Sequence, residues 1–191
     1  IVLTENYLGI GLQQYAGKNF SVYQTQLLQQ LFPSYISRRF DKEYIVPNCI
    51  KAIVDDIFSD QSVGRRLIEQ MIAKGKQWYL LDHFLPDVPD STKTGFTQRQ
   101  LDWCKENEGN AWSYIIANEN IYSIEPQVIQ TFLGEAPFTQ GMPESSPGNV
   151  GQWIGHRIVQ TFAEKNSELT VQQILATPAK KIFEEAKYRP K

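Results

Sequence analysis

The chain runs to 191 residues, 41% hydrophobic and 12% aromatic, which is enough apolar surface for one domain with a full core. Its 19 basic and 21 acidic residues give a formal net charge of -2 and lie mixed along the sequence; without a basic block to neutralise several phosphates, nucleic acid is set aside as a partner. No apolar run approaches the roughly 20 residues that cross a bilayer, and residues 1–20 lack a charged stretch followed by an apolar one of the secretory type.

Ile1 to Leu3 reads as a short strand, with Ile1 to Leu12 contributing to a small sheet as the wider alternative. From Val22 to Phe32 a glutamine-rich segment sets Tyr23, Leu27, Leu28 and Leu31 on one helical face, and Pro33 ends it. Asp41 then reads as the N-cap of a helix carrying Tyr44, Ile45, Cys49, Ile50, Ile53, Val54, Ile57 and Phe58. Pro47 is tolerable there only because it falls in the first turn. So wide an apolar face predicts that this helix is central.

Ser62 opens the next helix, where Leu67, Ile68, Met71, Ile72, Tyr79 and Leu80 make a broad stripe before Pro86. Gly75 inside it costs about 1 kcal/mol relative to alanine, so its expected use is close packing against a neighbour. Asp87 to Gly95 is turn chemistry, after which Thr97 caps a helix with Leu101, Cys104, Trp112, Ile115 and Ile116. Pro126 starts a helix through Leu133 that Gly134 closes. Thr170 caps a short helix through Leu175, and Pro178 starts a last one reaching Lys187.

Between the Pro126 and Thr170 helices lies GEAPFTQGMPESSPGNVGQWIGHRIV, from Gly134 to Val159. Pro137, Pro143 and Pro147 restrict themselves and their preceding residues, which predicts an ordered loop. Ser146 before Pro147 reads as an N-cap with proline at the first helical position, leading to Val150, Ile154, Ile158 and Val159 at helical spacing. These patterns predict a mainly α, compact single domain of packed helices over residues 1–191, with at most a short N-terminal strand.

The chemistry-bearing residues are few. Cys49 and Cys104, without a CxxC pair, read as buried free thiols. Of the two histidines, His83 near a helix end reads as exposed or capping, while His156 stands after the loop with Arg157 beside it. Gly148, Gly151 and Gly155 allow a neighbouring helix or a ligand to come close, and the helix start nearby has free N–H groups for an anion. Ser145 and Ser146 beside Glu144 do not form a nucleophile elbow. Asp55 and Asp56 sit about 100° apart on a helix, so at most one points inward. Trp78, Tyr79, Trp103 and Trp112 are candidates for an aromatic platform, though core positions suit most of them.

A set of short motifs spans the chain from Tyr7 onward. They are Phe32-Pro33-Ser34-Tyr35-Ile36, Tyr44-Ile45-Val46-Pro47 leading to Lys51-Ala52-Ile53, Gln70 to Lys76 with Tyr79-Leu80-Leu81-Asp82, and Gln100 to Cys104. Ala136-Pro137-Phe138-Thr139, Ser146-Pro147-Gly148 with Trp153-Ile154-Gly155, and Ala186-Lys187-Tyr188-Arg189-Pro190 complete it. In these motifs the chain resembles the gliding-motility lipoprotein GldB family of Bacteroidetes. The resemblance implies a lipid-anchored cell-envelope protein, facing the periplasm or the surface, whose signal peptide and lipidated cysteine lie upstream of Ile1. Contact with the membrane would then run only through that anchor.

That family is in turn similar to predicted zinc peptidases with an HExxH helix and a later Glu-Gly pair. Here the first helix reads Asn48-Cys49-Ile50-Lys51-Ala52-Ile53-Val54-Asp55-Asp56, and Lys74 precedes Gly75. A charged lysine cannot ligate zinc and no histidine pair stands at i, i+4, so the expectation is a degenerate metallopeptidase-like domain with no catalytic residue, metal or cofactor. It would bind or scaffold an envelope protein, a peptide or a glycan through a surface that includes Glu135, Glu144, Ser145, Gly148, Gly151, His156 and Arg157. The alternative is an active peptidase-like hydrolase using Glu135, Glu144 or Asp55 with His156.

Overall fold

The N-terminal residues build a small satellite before the core begins. The computed structural model describes residues 1–58, 60–117 and 120–190. Strand β1 (Val2–Leu3) pairs antiparallel with β2 (Leu8–Gly9), Val2 opposite Gly9 and Leu3 opposite Leu8, so the small-sheet alternative is the one realised. The single helix expected from Val22 to Phe32 is divided: a 3-10 turn, Ser21–Gln24, is followed by extended Thr25 and then by α1 (Gln26–Leu31). Thr25 donates its hydroxyl to the Val22 carbonyl, a local bond that competes with helix continuation. Leu27 and Leu31 stay exposed, while Tyr23 alone turns inward, edge-on to Phe20 and Phe40.

After α2 (Ser34–Ser37), Asp41 caps a 3-10 turn, its carboxylate accepting from the Lys42 N–H at 2.8 Å, and α3 (Ile45–Ile57) follows with Pro47 in its first turn. α3 is a flank rather than the centre that its apolar face predicted. Only Pro47, Cys49 and Val54 are buried along it, and Val46 and Ile57 are each 59% exposed. Its neighbour α4 (Leu67–Phe84) takes the centre instead, with Leu67, Ile68, Met71, Ile72, Trp78, Leu80 and Leu81 buried along it. α4 starts later than Ser62, because Ser62 is bound through its N–H to the Asp60 carboxylate at 2.8 Å and the chain turns before Glu69 accepts from the Arg66 N–H.

The expected Thr97 helix is real and carries a capping box with Gln100, but it breaks at Asn107 into α6 (Gln98–Glu106) and α7 (Glu108–Ala117) after the short α5 (Asp90–Thr94). α8 (Pro126–Leu133) has proline in its first turn and ends at Gly134, as predicted. α9 (Val150–Lys165) begins three residues past the expected proline start. Ser146 is fully buried and spends its side chain inside the loop, where its Oγ accepts from the Thr139 N–H at 3.2 Å while Thr139 Oγ1 donates to the Pro147 carbonyl at 2.6 Å. α10 (Val171–Ala176), capped by Thr170, and α11 (Ala179–Ala186) close the chain.

The core is the crossing of α4 with α9, with α11 packed on both. Leu67, Met71 and Ile72 of α4 and Val150, Ile154, Ile158, Val159 and Phe162 of α9 are fully buried. The crossing is tight because it is made by glycine on both sides: a Cβ on Gly155 would stand 1.9 Å from the Met71 carbonyl oxygen. Both cysteines are buried free thiols, and burial pushes the Cys104 thiol pKa up.

Candidate functional site

The backbone contact at Gly75 and Gly155 decides which polar groups meet. One residue past Gly155, the His156 side chain reaches across to α4, and its Nε2 lies 2.7 Å from Asp82 Oδ2. The other carboxylate oxygen, Oδ1, accepts from Lys93 Nζ of α5 at 2.6 Å, and Lys93 also meets Asp90 Oδ1 at 2.9 Å. Burial by itself would raise the Asp82 pKa, but the bonds from His156 and Lys93 outweigh it and hold the carboxyl below its usual range. For Lys93 the same balance runs the other way: burial lowers its pKa, and the two carboxylates more than restore it. Trp78 lies edge-on to His156 with ring centroids 6.0 Å apart.

This trio forms one wall of a pocket of about 410 Å³. Trp78, Leu81, Leu101 and Trp153 supply apolar surface, and Lys105, Glu108, Arg157 and Gln160 supply a polar, largely charged rim. Glu108 Oε1 accepts from Arg157 Nε at 3.1 Å and from the Tyr188 hydroxyl, while Arg157 also donates to Gln160 Oε1 at 2.8 Å. Burial, then the bond to Glu108, keeps Tyr188 un-ionised. Glu108, Arg157 and Gln160 are therefore held on the rim by fixed bonds rather than as loose surface groups. An apolar floor with a few oriented polar groups is the usual form of a ligand site.

A second pocket, of about 270 Å³, shares Trp78, Leu81 and Thr94 with the first. Asn48, Lys51 and Asp55 of α3, Lys74 of α4, and Asn149 and Gln152 at the start of α9 line it, with Arg39 and Glu135 at its edge. The segments compared with the zinc-ligand motifs in the sequence, Asn48 to Asp56 and Lys74, meet here, and the donor set does not fit a metal. Asn48 is engaged with the Tyr15 hydroxyl at 2.9 Å, Lys74 is paired with Asp60 at 3.2 Å, and Asp55 accepts from Gln77 at 2.9 Å. Burial, followed by the repulsion of Arg39, lowers the Lys51 pKa to about 8, yet a lysine surrounded in this way leaves only Asp55 and Glu135 as hard anionic donors. Among the described residues no group of three or more His, Cys, Asp or Glu side chains is placed to hold a metal ion.

The seven residues singled out from the sequence fall in different places. His156 and Arg157 face the first pocket, and Glu135 lies at the second, bound in a fork to Arg39 at 3.0 and 3.2 Å. Glu144 and Ser145 line a third hollow with Arg38, Arg99 and Tyr35. Gly148 and Gly151 are packing positions: a Cβ would come 2.1 Å from the Ala136 carbonyl oxygen and 2.8 Å from that of Phe132. Glu135, Glu144, Asp55 and His156, the groups of the hydrolase alternative, are consequently spread over three pockets. The residues that sequence reasoning missed are Asp82 as the partner of His156, Lys93, and Lys51. Asp82 and His156 are 74 positions apart and no spacing rule joins them, whereas a lysine among the apolar residues of the α3 pattern was a readable signal.

His83 is exposed, with Nδ1 2.8 Å from the Tyr79 carbonyl one turn earlier, and takes no part in either pocket. Of the aromatic set Trp78 lines both pockets, while Trp112 packs against Phe183 and Tyr188. Among the described residues no helix is long and apolar enough to cross a membrane.

In comparison with known proteins, the family model of gliding motility protein GldB matches residues 1–190, almost the whole chain. No curated protein and no solved structure matches it.

Proposed function

This chain belongs to the gliding motility protein GldB family, a lipoprotein family, and we propose that it serves there as a binding component rather than as a catalyst. One observation carries the reading: Lys51 and Lys74 line the pocket in which a peptidase would need its metal ligands. The two pockets that share Trp78 take a peptide, a glycan or a segment of an envelope protein, and a lipid anchor keeps the domain at the cell envelope. The ion-paired rim supports this, since Asp82, Lys93, Glu108 and Arg157 are already oriented and lose little freedom on binding.

The test is photo-cross-linking in the producing cells, with a cross-linking residue at Lys105 on the pocket rim and, as control, at Glu184 on the solvent-facing side of α11. A partner captured from Lys105 alone supports the reading. Near-stoichiometric zinc in the purified protein, together with peptide hydrolysis that a chelator abolishes, would replace it with an enzyme. A second reading, an acid–base role for His156, rests on the Asp82–His156 pair facing the first pocket. No serine or cysteine nucleophile is bonded to that imidazole among the described residues.

A further inference from the structure

The second pocket holds two polar side chains without partners. Asn149 is 6% exposed and stands at the N-cap position of α9, yet its side chain caps nothing and makes no hydrogen bond among the described residues. Lys51, one helix away on α3, has neither a hydrogen bond nor an ion pair among the described residues. The backbone adds to them. The Gln152 N–H bonds to the Asn149 carbonyl at 2.9 Å, but the N–H groups of Val150 and Gly151 in the first turn of α9 have no acceptor among the described residues. α9 is 16 residues long, so its first turn carries a full positive dipole end.

The charge count selects the kind of anion. Arg39, Lys51 and Lys74 face Asp55 and Glu135 in this pocket, three cations against two carboxylates. Arg39 is occupied by Glu135 and Lys74 by Asp60, which leaves Lys51 as the cation held in no ion pair among the described residues, facing the Asp55 carboxylate that accepts from Gln77. A single positive charge with an amide donor and free backbone N–H groups suits a monoanion of planar shape better than a dianion.

We infer that the pocket between Lys51 and Asn149 at the start of α9 is a binding site for a carboxylate. The inference holds whether the domain binds or catalyses, because it rests on groups that are unpaired in either case. Burial and the neighbouring Arg39 lower the Lys51 pKa to about 8, and a bound carboxylate would stabilise the ammonium form. The carboxylate has two natural sources, a peptide C-terminus and an acidic sugar.

The experiment is a titration of the 15N-labelled protein, followed by NMR, with N-acetyl-dialanine, its C-terminal amide, galacturonate and inorganic phosphate. The expected result is saturable shifts of the Asn149 side-chain amide and the Val150 and Gly151 amides with a carboxylate probe, and none with the amide. Shifts with N-acetyl-dialanine point to the peptide source; shifts with galacturonate point to the sugar. Lys51→Met and Asn149→Ala should each weaken binding at least tenfold while keeping the dispersed spectrum of the folded chain. No saturable shift with either carboxylate, equal shifts with the amide, tighter binding of phosphate, or unchanged affinity in both variants would each overturn the assignment.

Discussion

Gly75 of α4 and Gly155 of α9 meet backbone to backbone: a Cβ on Gly75 would lie 2.3 Å from the carbonyl carbon and oxygen of Gly155. No neighbouring side chain can yield here, since the obstacle is a helix backbone, and alanine must push the two central helices apart. Gly75→Ala and Gly155→Ala should each cost about 3 kcal/mol or more despite alanine's better helix propensity. The double variant should cost clearly less than the sum, because helices already separated admit the second methyl group. Urea unfolding of the three proteins measures this. Additive losses would mean that the crossing does not behave as one contact.

The same crossing brings His156 to Asp82, and Asp82 in turn holds Lys93. Asp82→Ala strips His156 of its acceptor and leaves Lys93 with Asp90 alone, at a cost of about 3 kcal/mol. Asp82→Asn keeps one acceptor oxygen and should cost less. The pH dependence has a definite sign. The carboxyl's folded-state pKa lies below the ordinary 3.8, so its contribution is present above 3.8 and fades as pH falls through the lower folded value. Thermal unfolding between about pH 5 and 2 should show this acid-limb loss in the wild type and a shallower one in Asp82→Asn.

The helical elements were legible where local chemistry sets them. Thr97 with Gln100 and Thr170 with Gln173 are capping boxes written in four residues, and Pro126 and Gly134 bracket α8 as the pattern said. Gly75 was readable as a contact glycine, though its partner was not. Which helix takes the centre was illegible, because the apolar face of α3 and the broad stripe of α4 differ only in what lies across from them. The site was the least legible part. Asp82, Lys93 and His156 come from α4, α5 and α9, and their meeting depends on one crossing that no single segment records. The loop before α9 was expected to be ordered, and Thr139 and Ser146 inside it are fully buried, but the serine bonds to the loop where a helix cap was expected.

For Lys51, burial and the repulsion of Arg39 outweigh the attraction of Glu135 and Asp55, which gives a second pH signature of opposite origin. Arg39, Lys74, Asp55 and Glu135 face it, and its pKa falls from 10.5 to about 8 on folding. Between those two values the unfolded chain holds more protons than the folded one, so stability rises with pH from about 8 to 10.5. Lys51→Met should flatten that rise and stabilise the protein at pH 7 by about 1 kcal/mol, since a desolvated cation held in no ion pair among the described residues is replaced by an apolar chain. Lys93 acts in reverse: its pKa is raised above 10.5, so its contribution is complete below 10.5 and lost above. Urea unfolding of the wild type and Lys51→Met across this range separates the two lysines.

The loop that carries α9 makes a sharper stability test than its exposed surface suggests. Thr139 is fully buried and donates its hydroxyl to the Pro147 carbonyl at 2.6 Å, within reach of the Gly148 carbonyl at 3.2 Å. Thr139→Val keeps the shape and removes the donor, leaving a buried carbonyl unsatisfied, and should cost about 1–3 kcal/mol. Thr139→Ser keeps the donor and should cost less, through the lost methyl group alone. Unfolding midpoints rank the variants, and a Val protein as stable as the wild type would sink this account of the loop.

His156 separates the binding reading from an acid–base one, because its bond to Asp82 is met by groups other than imidazole. Glutamine at position 156 can still offer an N–H to Asp82, but it cannot exchange a proton near neutral pH. If His156 is a positioning residue of the pocket wall, His156→Gln should keep stability to within about 1 kcal/mol and keep the Lys105 cross-link, while His156→Ala loses about 1–2 kcal/mol. If it is an acid or base, a peptide or glycan substrate turned over by the wild type should be left untouched by both variants. Mass-spectrometric product detection on mixed peptidoglycan and protein substrates, run beside the unfolding series, decides between them. Turnover lost in His156→Gln at unchanged stability assigns chemistry to this imidazole, and no turnover in the wild type leaves it as part of a binding wall.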